Sequence, residues 1–211
     1  MKVLAINGSP HIHGNTSTGI ELVKEELALH GIELEKFDLG LQVIRGCTAC
    51  NHCAKTKSGK CVFDDDPVNE GIDKIAQADA VLLASPVHYS GITGTMKSFL
   101  DRAFFATSRA PVNPFRHKVA AAFVCVRRAG GLPAFQSLLH YLTYAEMILA
   151  TGSYWPVLYG AAPGEVLKDQ EGTAVLKEIS RNMAWILKNM KSGTTPPPQK
   201  EPKPSMNFIR E

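Results

Sequence analysis

The chain has 211 residues, of which 45% are hydrophobic and 20% are charged, and this composition is typical of one globular domain. The basic residues behind its formal net charge of +3 are scattered, unlike the positive stripe of a nucleic-acid-binding protein, so we expect no nucleic-acid partner. No apolar stretch approaches the roughly 20 residues of a membrane helix, and a first predicted strand at Lys2 leaves no room for a signal peptide. These features predict a cytoplasmic protein without a membrane segment.

Short apolar runs alternate with amphipathic segments along the chain. The first run, KVLAIN at residues 2–7, is typical of a buried strand that ends in a loop at Gly8. Further strands are predicted at residues 33–39, 80–84 and 118–126 and near 154–159. Helices are predicted at residues 16–30, 67–78 and 95–106, from the end of the loop at 127–131 to about residue 149, and at 173–190.

Strands that alternate with helices indicate a parallel sheet covered by helices on both faces. With five strands, we predict an α/β flavodoxin-like three-layer sandwich with strand order 2-1-3-4-5. We assign residues 1–191 to this domain, with a long cysteine-rich loop at 40–66 inside it. Residues 192–211 change to Pro, Lys and Glu, which is typical of a disordered tail, but Met206, Phe208 and Ile209 equally suit an extended arm that docks on a partner subunit.

The loop after the first predicted strand reads GSPHIHGNTS from Gly8 to Ser17. In an open parallel sheet, ligands bind beyond the carboxyl ends of the strands, at the point where the strand order reverses, and this loop lies there. Its hydroxyl and amide side chains, and the free N–H groups of the helix that follows, suit a phosphate dianion. The loop is neither a P-loop nor a GxGxxG fingerprint, and an ordinary turn before a helix is the simpler alternative.

A second polar loop, SPVHYSG from Ser85 to Gly91, follows the apolar run at 80–84. It leaves the same edge of the predicted sheet, where its backbone N–H groups and an aromatic ring could face a flat heterocycle. The alternative is a connecting loop in which Tyr89 and Phe99 belong to the core. We expect this of Phe99 and less of Tyr89, which lies between small polar residues.

These loops, together with GTMKSFLDR at residues 94–102, resemble those of the NAD(P)H-dependent FMN reductase families of flavodoxin-like proteins, especially the iron–sulfur flavoprotein branch. The resemblance covers residues 1–190 in element order. It implies that the FMN phosphate is held by Ser9, His11, Asn15, Thr16 and Ser17. It implies that the isoalloxazine ring is bordered by Pro86, Val87, His88, Tyr89, Ser90 and Gly91, and closed on its far side by the loop of Arg127, Arg128, Ala129, Gly130 and Gly131. His11 and His88 depart from the family pattern, in which Arg or Lys and Tyr are common at the two positions.

Four of the five cysteines, Cys47, Cys50, Cys53 and Cys61, lie within fifteen residues. Because short spacings turn sulfurs to the same side, these thiolates can bind one metal centre, and four of them suit a [4Fe–4S] cluster. Zinc also takes four cysteines, although more often as two separated pairs, and the thiols could instead stay free or form a disulfide. Iron–sulfur flavoproteins carry a compact motif of this form. We place Cys125, in the middle of an apolar run, in the core.

We expect an FMN-dependent oxidoreductase that reduces an acceptor with electrons from NAD(P)H. The flavin carries this chemistry, so we assign no catalytic side chain, and Arg127 and Arg128 are candidates for stabilising the reduced flavin. The alternative is an iron–sulfur flavoprotein that passes electrons between a [4Fe–4S] cluster and FMN, linked to ferredoxin. A third alternative is a zinc-stabilised binding module without enzymatic activity. Relatives form dimers or tetramers, so we expect a homodimer or homotetramer with a small-molecule or protein electron acceptor.

Overall fold

The structure is a computed structural model that describes residues 1–201. Its strands are β1 Lys2–Asn7, β2 Glu33–Asp38, β3 Ala80–Pro86, β4 Val119–Val126, β5 Ile148–Leu149 and β6 Val157–Tyr159. Its α-helices are α1 Asn15–Ala28, α2 His52–Thr56, α3 Val68–Gln77, α4 Gly94–Ser108, α5 Gly131–Tyr144 and α6 Gln170–Ser192. A short 3-10 helix at Glu165–Lys168 precedes α6.

The strands form one parallel sheet in the order β2-β1-β3-β4-β5, and β6 also pairs with β4. This confirms the predicted flavodoxin-like α/β fold with strand order 2-1-3-4-5. The strand order reverses at β1, which has β2 on one side and β3 on the other. The loops after β1 and β3 therefore leave the sheet at the position where open α/β sheets bind ligands.

The predicted fifth strand is divided into two short strands. β5 pairs with the start of β4, at Val119 and Ala120, whereas β6 pairs with the end of β4. The prediction that the preceding helix continues to about residue 149 is wrong, because α5 ends at Tyr144. Glu146 adopts a left-handed backbone with φ 56, and its carbonyl accepts a hydrogen bond from the His117 N–H. This turn ends the helix and leads the chain into the sheet edge.

Helices cover both faces of the sheet, and the side chains of β4 alternate between the two layers. Ala120, Ala122 and Val124 pack in the core layer of α3, α4 and α5. Phe123 belongs to the opposite layer, with α1 and α6. Gly19 of α1 lies so close to the Phe123 ring that a Cβ atom there would be 2.6 Å from it. The small residues of the sheet and of α1 thus let the layers approach closely.

The cysteine-rich segment, residues 40–66, begins at the first loop and then lies along α4. Its first residue, Gly40, is so close to the loop after β1 that a Cβ atom would be 2.1 Å from the Ser9 carbonyl oxygen. Cys53 and Cys61 pack in the core layer that contains α4. The segment therefore links the loop after β1 to the flank of the domain.

The chain continues beyond α6 from Gly193 as an exposed segment. Arg116 donates a hydrogen bond to the Pro198 carbonyl oxygen at 3.1 Å. The predicted docking residues Met206, Phe208 and Ile209 lie outside the described residues. Within residues 1–201, none of the helices combines the length and the hydropathy needed to cross a membrane.

Candidate functional site

A cleft of about 350 Å³ lies at the carboxyl edge of the sheet, between the loops after β1, β3 and β4. It is lined by Ser9, His11, Gly14, Asn15, Thr16, Pro86, Val87, His88, Cys125, Arg127, Gly160, Ala161 and Pro163. Both loops that the sequence singled out therefore contribute to one cleft. Its volume falls in the range of about 300–1,000 Å³ that is typical of cofactor sites.

Asn7, the last residue of β1, is fully buried and organises the first loop. Its amide nitrogen donates to Asp38 Oδ1 at 2.7 Å and to Ser17 Oγ at 3.2 Å. Its amide oxygen accepts from the Ser9 N–H at 3.1 Å. The Ser9 hydroxyl then bonds to the N–H and the C=O of His11, at 3.1 and 3.2 Å. Asn7 was not predicted from the sequence, although a polar residue at the end of a buried apolar strand was a usable signal.

Helix α1 begins at Asn15, beside the cleft, and no side chain caps it. In residues 1–201, no hydrogen bond is formed by the N–H groups of Asn15, Thr16 and Ser17. These N–H groups and the positive end of the helix dipole can bind a phosphate. The Asn15 side chain serves another purpose, because its oxygen accepts a hydrogen bond from the Val166 N–H at 3.3 Å.

The loop after β3 forms a hairpin with two residues at its tip. His88 and Gly91 exchange two backbone hydrogen bonds of 2.9 Å each. Tyr89 and Ser90 between them adopt left-handed backbones, with φ 48 and 61. Positive φ is costly for residues other than glycine, and such conformations are often found at ligand sites. The Tyr89 side chain is fully exposed, so it is not a core residue, whereas Phe99 is buried as expected.

Buried hydrogen bonds fix the first and second loops to each other. The Thr93 hydroxyl donates to the Gly8 carbonyl at 2.8 Å and accepts from the Met96 N–H at 3.3 Å, which caps α4. The Ser85 hydroxyl accepts from the Thr93 N–H at 3.2 Å and donates to the Pro86 carbonyl at 2.9 Å. The shape of the cleft is therefore built into the fold.

The loop after β4 contributes one residue, Arg127, to the lining of the cleft. Arg127 lines the cleft, whereas Arg128 is exposed outside it. Gly130 has φ +86 and touches the hairpin after β3, and a Cβ atom on Gly131 would lie 2.3 Å from Val157. Tyr89, Ser90, Gly91, Gly130, Gly131 and Ser17 are not among the residues that line the cleft. Their role at the flavin stays a prediction.

The segment after β6 supplies the part of the cleft that was not predicted from the sequence, namely Gly160, Ala161 and Pro163. No local pattern marks these residues, because only the divided edge strand brings them to the cleft. Cys125 is buried as expected, but it also reaches the floor of the cleft. Burial raises the pKa of its thiol to about 12, so Cys125 is a neutral group and not a nucleophile.

A second, larger cleft of about 450 Å³ lies where β5 and β6 separate, between α5 and α6. Its walls are mainly apolar and include the exposed aromatic side chains of Tyr154 and Trp155. No residue of the three loops at the carboxyl edge reaches it. We therefore assign the candidate site to the cleft at the carboxyl edge, where the phosphate-binding features are.

The four clustered cysteines line one small cavity of about 20 Å³ beside α4. Cys47 and Cys50 are exposed, Cys61 is half-buried and Cys53 is buried, and all four are free thiols. The backbone between them turns through left-handed residues, Ala49 with φ 52 and Asn51 with φ 57. The chain thus folds its cysteines around a common space.

The four thiols are the donor set of a [4Fe–4S] cluster and also of a tetrahedral zinc site. Within the described residues, no three His, Cys, Asp or Glu side chains are placed to hold one metal ion. Tetrahedral zinc needs four sulfurs at about 2.3 Å from one centre, whereas each cysteine of a [4Fe–4S] cluster binds a different iron and the sulfurs stand wider apart. Burial raises the pKa of the Cys53 thiol, so metal binding there displaces a proton.

Cys61 forms hydrogen bonds with residues of both α3 and α4. Asn69 of α3 accepts from the Cys61 N–H at 2.9 Å and donates to its carbonyl at 3.0 Å. Arg102 of α4 donates from Nε to Cys61 Sγ at 3.3 Å and forms a buried salt bridge with Asp66. The sequence placed Arg102 within a motif, but no contact with the cysteines was predicted from it.

Comparison with known proteins identifies the family. Residues 1–161 match the family model described as NADPH-dependent FMN reductase. An iron–sulfur flavoprotein of Methanocaldococcus jannaschii is 30% identical over 201 residues, which cover 90% of this chain and 100% of that protein. An iron–sulfur flavoprotein of Archaeoglobus fulgidus is 32% identical over 191 residues, 89% of this chain and 92% of that protein.

Among solved structures, RosB with bound 8-demethyl-8-formylriboflavin-5'-phosphate has a similar fold, with a TM-score of 0.70 at 15% identity over 100% of this chain and 95% of that chain. This similarity supports the fold, and the sequence matches support the family. The chain therefore belongs to the NADPH-dependent FMN reductase family of flavin-dependent oxidoreductases.

Proposed function

We propose that the protein is an FMN-dependent oxidoreductase that exchanges electrons between FMN in the cleft and a [4Fe–4S] cluster on Cys47, Cys50, Cys53 and Cys61. The observation that carries the proposal is the grouping of the four thiols around one small cavity, because four cysteine thiolates are the ligand set of a [4Fe–4S] cluster. Similarity to iron–sulfur flavoproteins over nearly the whole chain supports it. From the sequence we expected NAD(P)H-linked reduction first, and the cysteine cavity favours the cluster-containing alternative.

In the cleft, the residues of the first loop would hold the FMN phosphate. The N–H groups at the start of α1 and the hydroxyl of Thr16 supply donors beside a positive helix end, and Ser9 fixes the loop through its hydrogen bonds to His11. Pro86, Val87 and His88 would border the ring. Arg127 places a positive charge in the same cleft, which favours the more negative, reduced cofactor. When bound, FMN supplies the electron-transfer chemistry.

The cysteines lie on the flank of the domain and not directly beneath the cleft. Helix α4 starts at Gly94, near the hairpin, and Arg102 contacts Cys61. At 1.5 Å per residue, the helix rises about 12 Å between Gly94 and Arg102. Cys47 and Cys50 are exposed on this flank. We infer that the cluster faces the flavin of another subunit in a homodimer or homotetramer, or an external carrier such as ferredoxin.

Serine substitutions test the cluster assignment. After anaerobic reconstitution with iron and sulfide, the unmodified protein should hold about four irons per chain. Cys47→Ser, Cys50→Ser, Cys53→Ser and Cys61→Ser should each lose most of the iron, because oxygen is a poorer cluster ligand than thiolate. The matched control, Cys125→Ser, removes a thiol outside the cavity and should keep it. Equal iron in all five variants, or none in the unmodified protein, contradicts the proposal.

NAD(P)H-dependent reduction of the bound FMN is the second candidate function. It is favoured by the full exposure of the Tyr89 side chain next to His88, which lines the cleft, because a nicotinamide could approach the ring from there. Anaerobic addition of NADPH or NADH to the FMN-loaded protein should then bleach the flavin absorbance. If the Cys47→Ser variant is bleached at the same rate, the nicotinamide reaction is independent of the cluster. Absence of bleaching with both nucleotides contradicts this candidate.

A further inference from the structure

Arg102 is among the largest fully buried side chains of the described structure, and every hydrogen bond of its guanidinium goes to the cysteine-rich segment. Nε donates to Cys61 Sγ at 3.3 Å, and Nη2 donates to the Phe63 carbonyl at 3.0 Å. Nη1 donates to the Arg45 carbonyl at 3.3 Å and forms the salt bridge with Asp66. Arg45 precedes the first cysteine, whereas Phe63 and Asp66 follow the last. One side chain therefore joins both ends of the segment to α4.

The orientation of the Arg102–Asp66 ion pair determines which of its two charges lies next to the Cys61 sulfur. Asp66 binds Nη1, and the sulfur receives its bond from Nε, a different nitrogen of the same group. The positive member of the pair therefore lies next to Cys61 and the negative member beyond it. Both side chains are almost completely buried, so solvent screens this arrangement weakly.

A purely structural role for Arg102 does not require a buried ion pair or a hydrogen bond to the Cys61 sulfur. A buried ion pair is costly to desolvate, and apolar residues of similar volume often replace one without loss of stability. Neutral thiol sulfur is a weak acceptor, whereas the sulfur of a metal-bound cysteine carries negative charge and accepts a charge-assisted hydrogen bond. Hydrogen bonds to cluster sulfurs and local charge are among the factors that set cluster reduction potentials.

We propose that Arg102 is a positioning residue for the cluster, which fixes Cys61 as a ligand and raises the reduction potential of the cluster through its positive charge. This inference rests on the proposed function, because it requires a cluster on the four cysteines. Reduction adds one negative charge to the cluster. A buried cation at a ligand sulfur stabilises that charge, and the nearby carboxylate of Asp66 opposes it.

Two substitutions with opposite expected effects test the inference. Arg102→Met removes the cation and should shift the cluster midpoint potential downward, with lower iron content. Asp66→Asn keeps an oxygen for the Val68 N–H, which Asp66 Oδ1 accepts at 3.1 Å, but removes the negative charge and should shift the potential upward. A merely structural role would shift both variants in the same direction or neither. The potentials are measured by anaerobic reductive titration followed by absorbance and electron paramagnetic resonance.

Further variants keep the test decisive if Arg102→Met does not fold. Arg102→Lys retains the charge but loses the planar set of donors, so it should hold less iron at a potential near that of the unmodified protein. Arg181→Gln removes a distant arginine that pairs with Glu26, and as a control for net charge it should leave the potential unchanged. Unmoved potentials in Arg102→Met and Asp66→Asn, or shifts of the same sign, overturn the inference. Absence of iron from the unmodified protein would contradict the proposed cluster function itself. Iron in the unmodified protein with unmoved potentials in the variants would contradict only the role of Arg102.

Discussion

A Cβ atom on Gly130 would lie 2.7 Å from the Cα atom of Ser90, so the loop after β4 and the hairpin after β3 are in direct contact. Gly130 also has φ +86, a backbone conformation that L-residues rarely adopt. The contact therefore depends on the missing side chain at this position. Two loops beside the candidate cofactor cleft hold each other in place through it.

Gly130→Ala should weaken both the fold and FMN binding. The left-handed backbone costs a residue with a Cβ atom about 1–2 kcal/mol, and the contact with Ser90 adds to that cost by moving the hairpin. Urea denaturation and FMN fluorescence titration measure the two effects. Gly31→Ala is the matched control, because Gly31 has φ +70 and a Cβ atom there would have no neighbour within 4 Å. Equal losses of stability and unchanged FMN affinity in both variants would contradict the role of this contact.

Ser9→Ala should lower the affinity for FMN. The Ser9 hydroxyl stabilises the first loop through two hydrogen bonds to His11 and lies in the wall of the cleft. The loss of hydrogen bonds worth about 1–1.5 kcal/mol corresponds to roughly a tenfold weaker Kd. Fluorescence titration with FMN gives the Kd, and Ser137→Ala, which removes an exposed hydroxyl on α5, serves as the control. An unchanged Kd in Ser9→Ala would contradict a role of the Ser9 hydroxyl in FMN binding.

Arg127→Gln should lower the midpoint potential of the bound FMN, whereas Arg128→Gln should leave it almost unchanged. Only Arg127 lines the cleft, so only its charge acts on the flavin at short range. The two variants lose the same charge at adjacent positions and control for each other. Spectroelectrochemical titration of the flavin gives the potentials. Equal shifts in the two variants would show that the position in the cleft is irrelevant.

The stability of the α4–α5 contact should depend on pH in the alkaline range. Tyr141 donates a hydrogen bond to Asp101, and Lys97 Nζ lies 3.3 Å from the same hydroxyl. Burial, followed by the interaction with Asp101, raises the pKa of Tyr141 to about 12. In an unfolded chain the pKa of tyrosine is about 10, so the folded state favours the neutral phenol. This contribution is complete below about pH 10 and is lost as the pH rises through the folded pKa.

The Tyr141→Phe variant isolates this effect. Between about pH 10 and 12, the unfolding free energy of the unmodified protein should fall more steeply than that of Tyr141→Phe. Urea denaturation at a series of pH values measures both curves. The titration of groups that do not contact Tyr141 cancels in the difference between them. Parallel curves over this range would contradict the raised pKa.

Much of the fold follows from local patterns, and the exceptions have physical causes. Continuous apolar runs such as residues 80–84 identify buried parallel strands, because both of their faces are covered. The divided edge strand escaped prediction, because it depends on the left-handed turn at Glu146 and on separate pairing with the two ends of β4. Edge strands also need fewer apolar residues, so their pattern is weaker.

At the site, the sequence identified the loops but not all of the residues that the fold brings into contact with them. The small polar residues around Ser9 and His88 carry a local signal of ligand binding, and both lie in the cleft. Gly160 reaches the cleft only through β6, and Arg102 reaches Cys61 only through the packing of α4. Contacts between residues so distant in the chain leave no periodic pattern, so they required the structure.

The most direct test of the proposed function is the absorption spectrum of protein purified without oxygen, with iron and flavin quantified on the same sample. We predict flavin bands over broad iron–sulfur absorbance, with one FMN and about four irons per chain. Flavin without iron would contradict the cluster and leave a flavin reductase with free thiols. Absence of both chromophores, even after FMN is added, would contradict the flavin site and the cluster together.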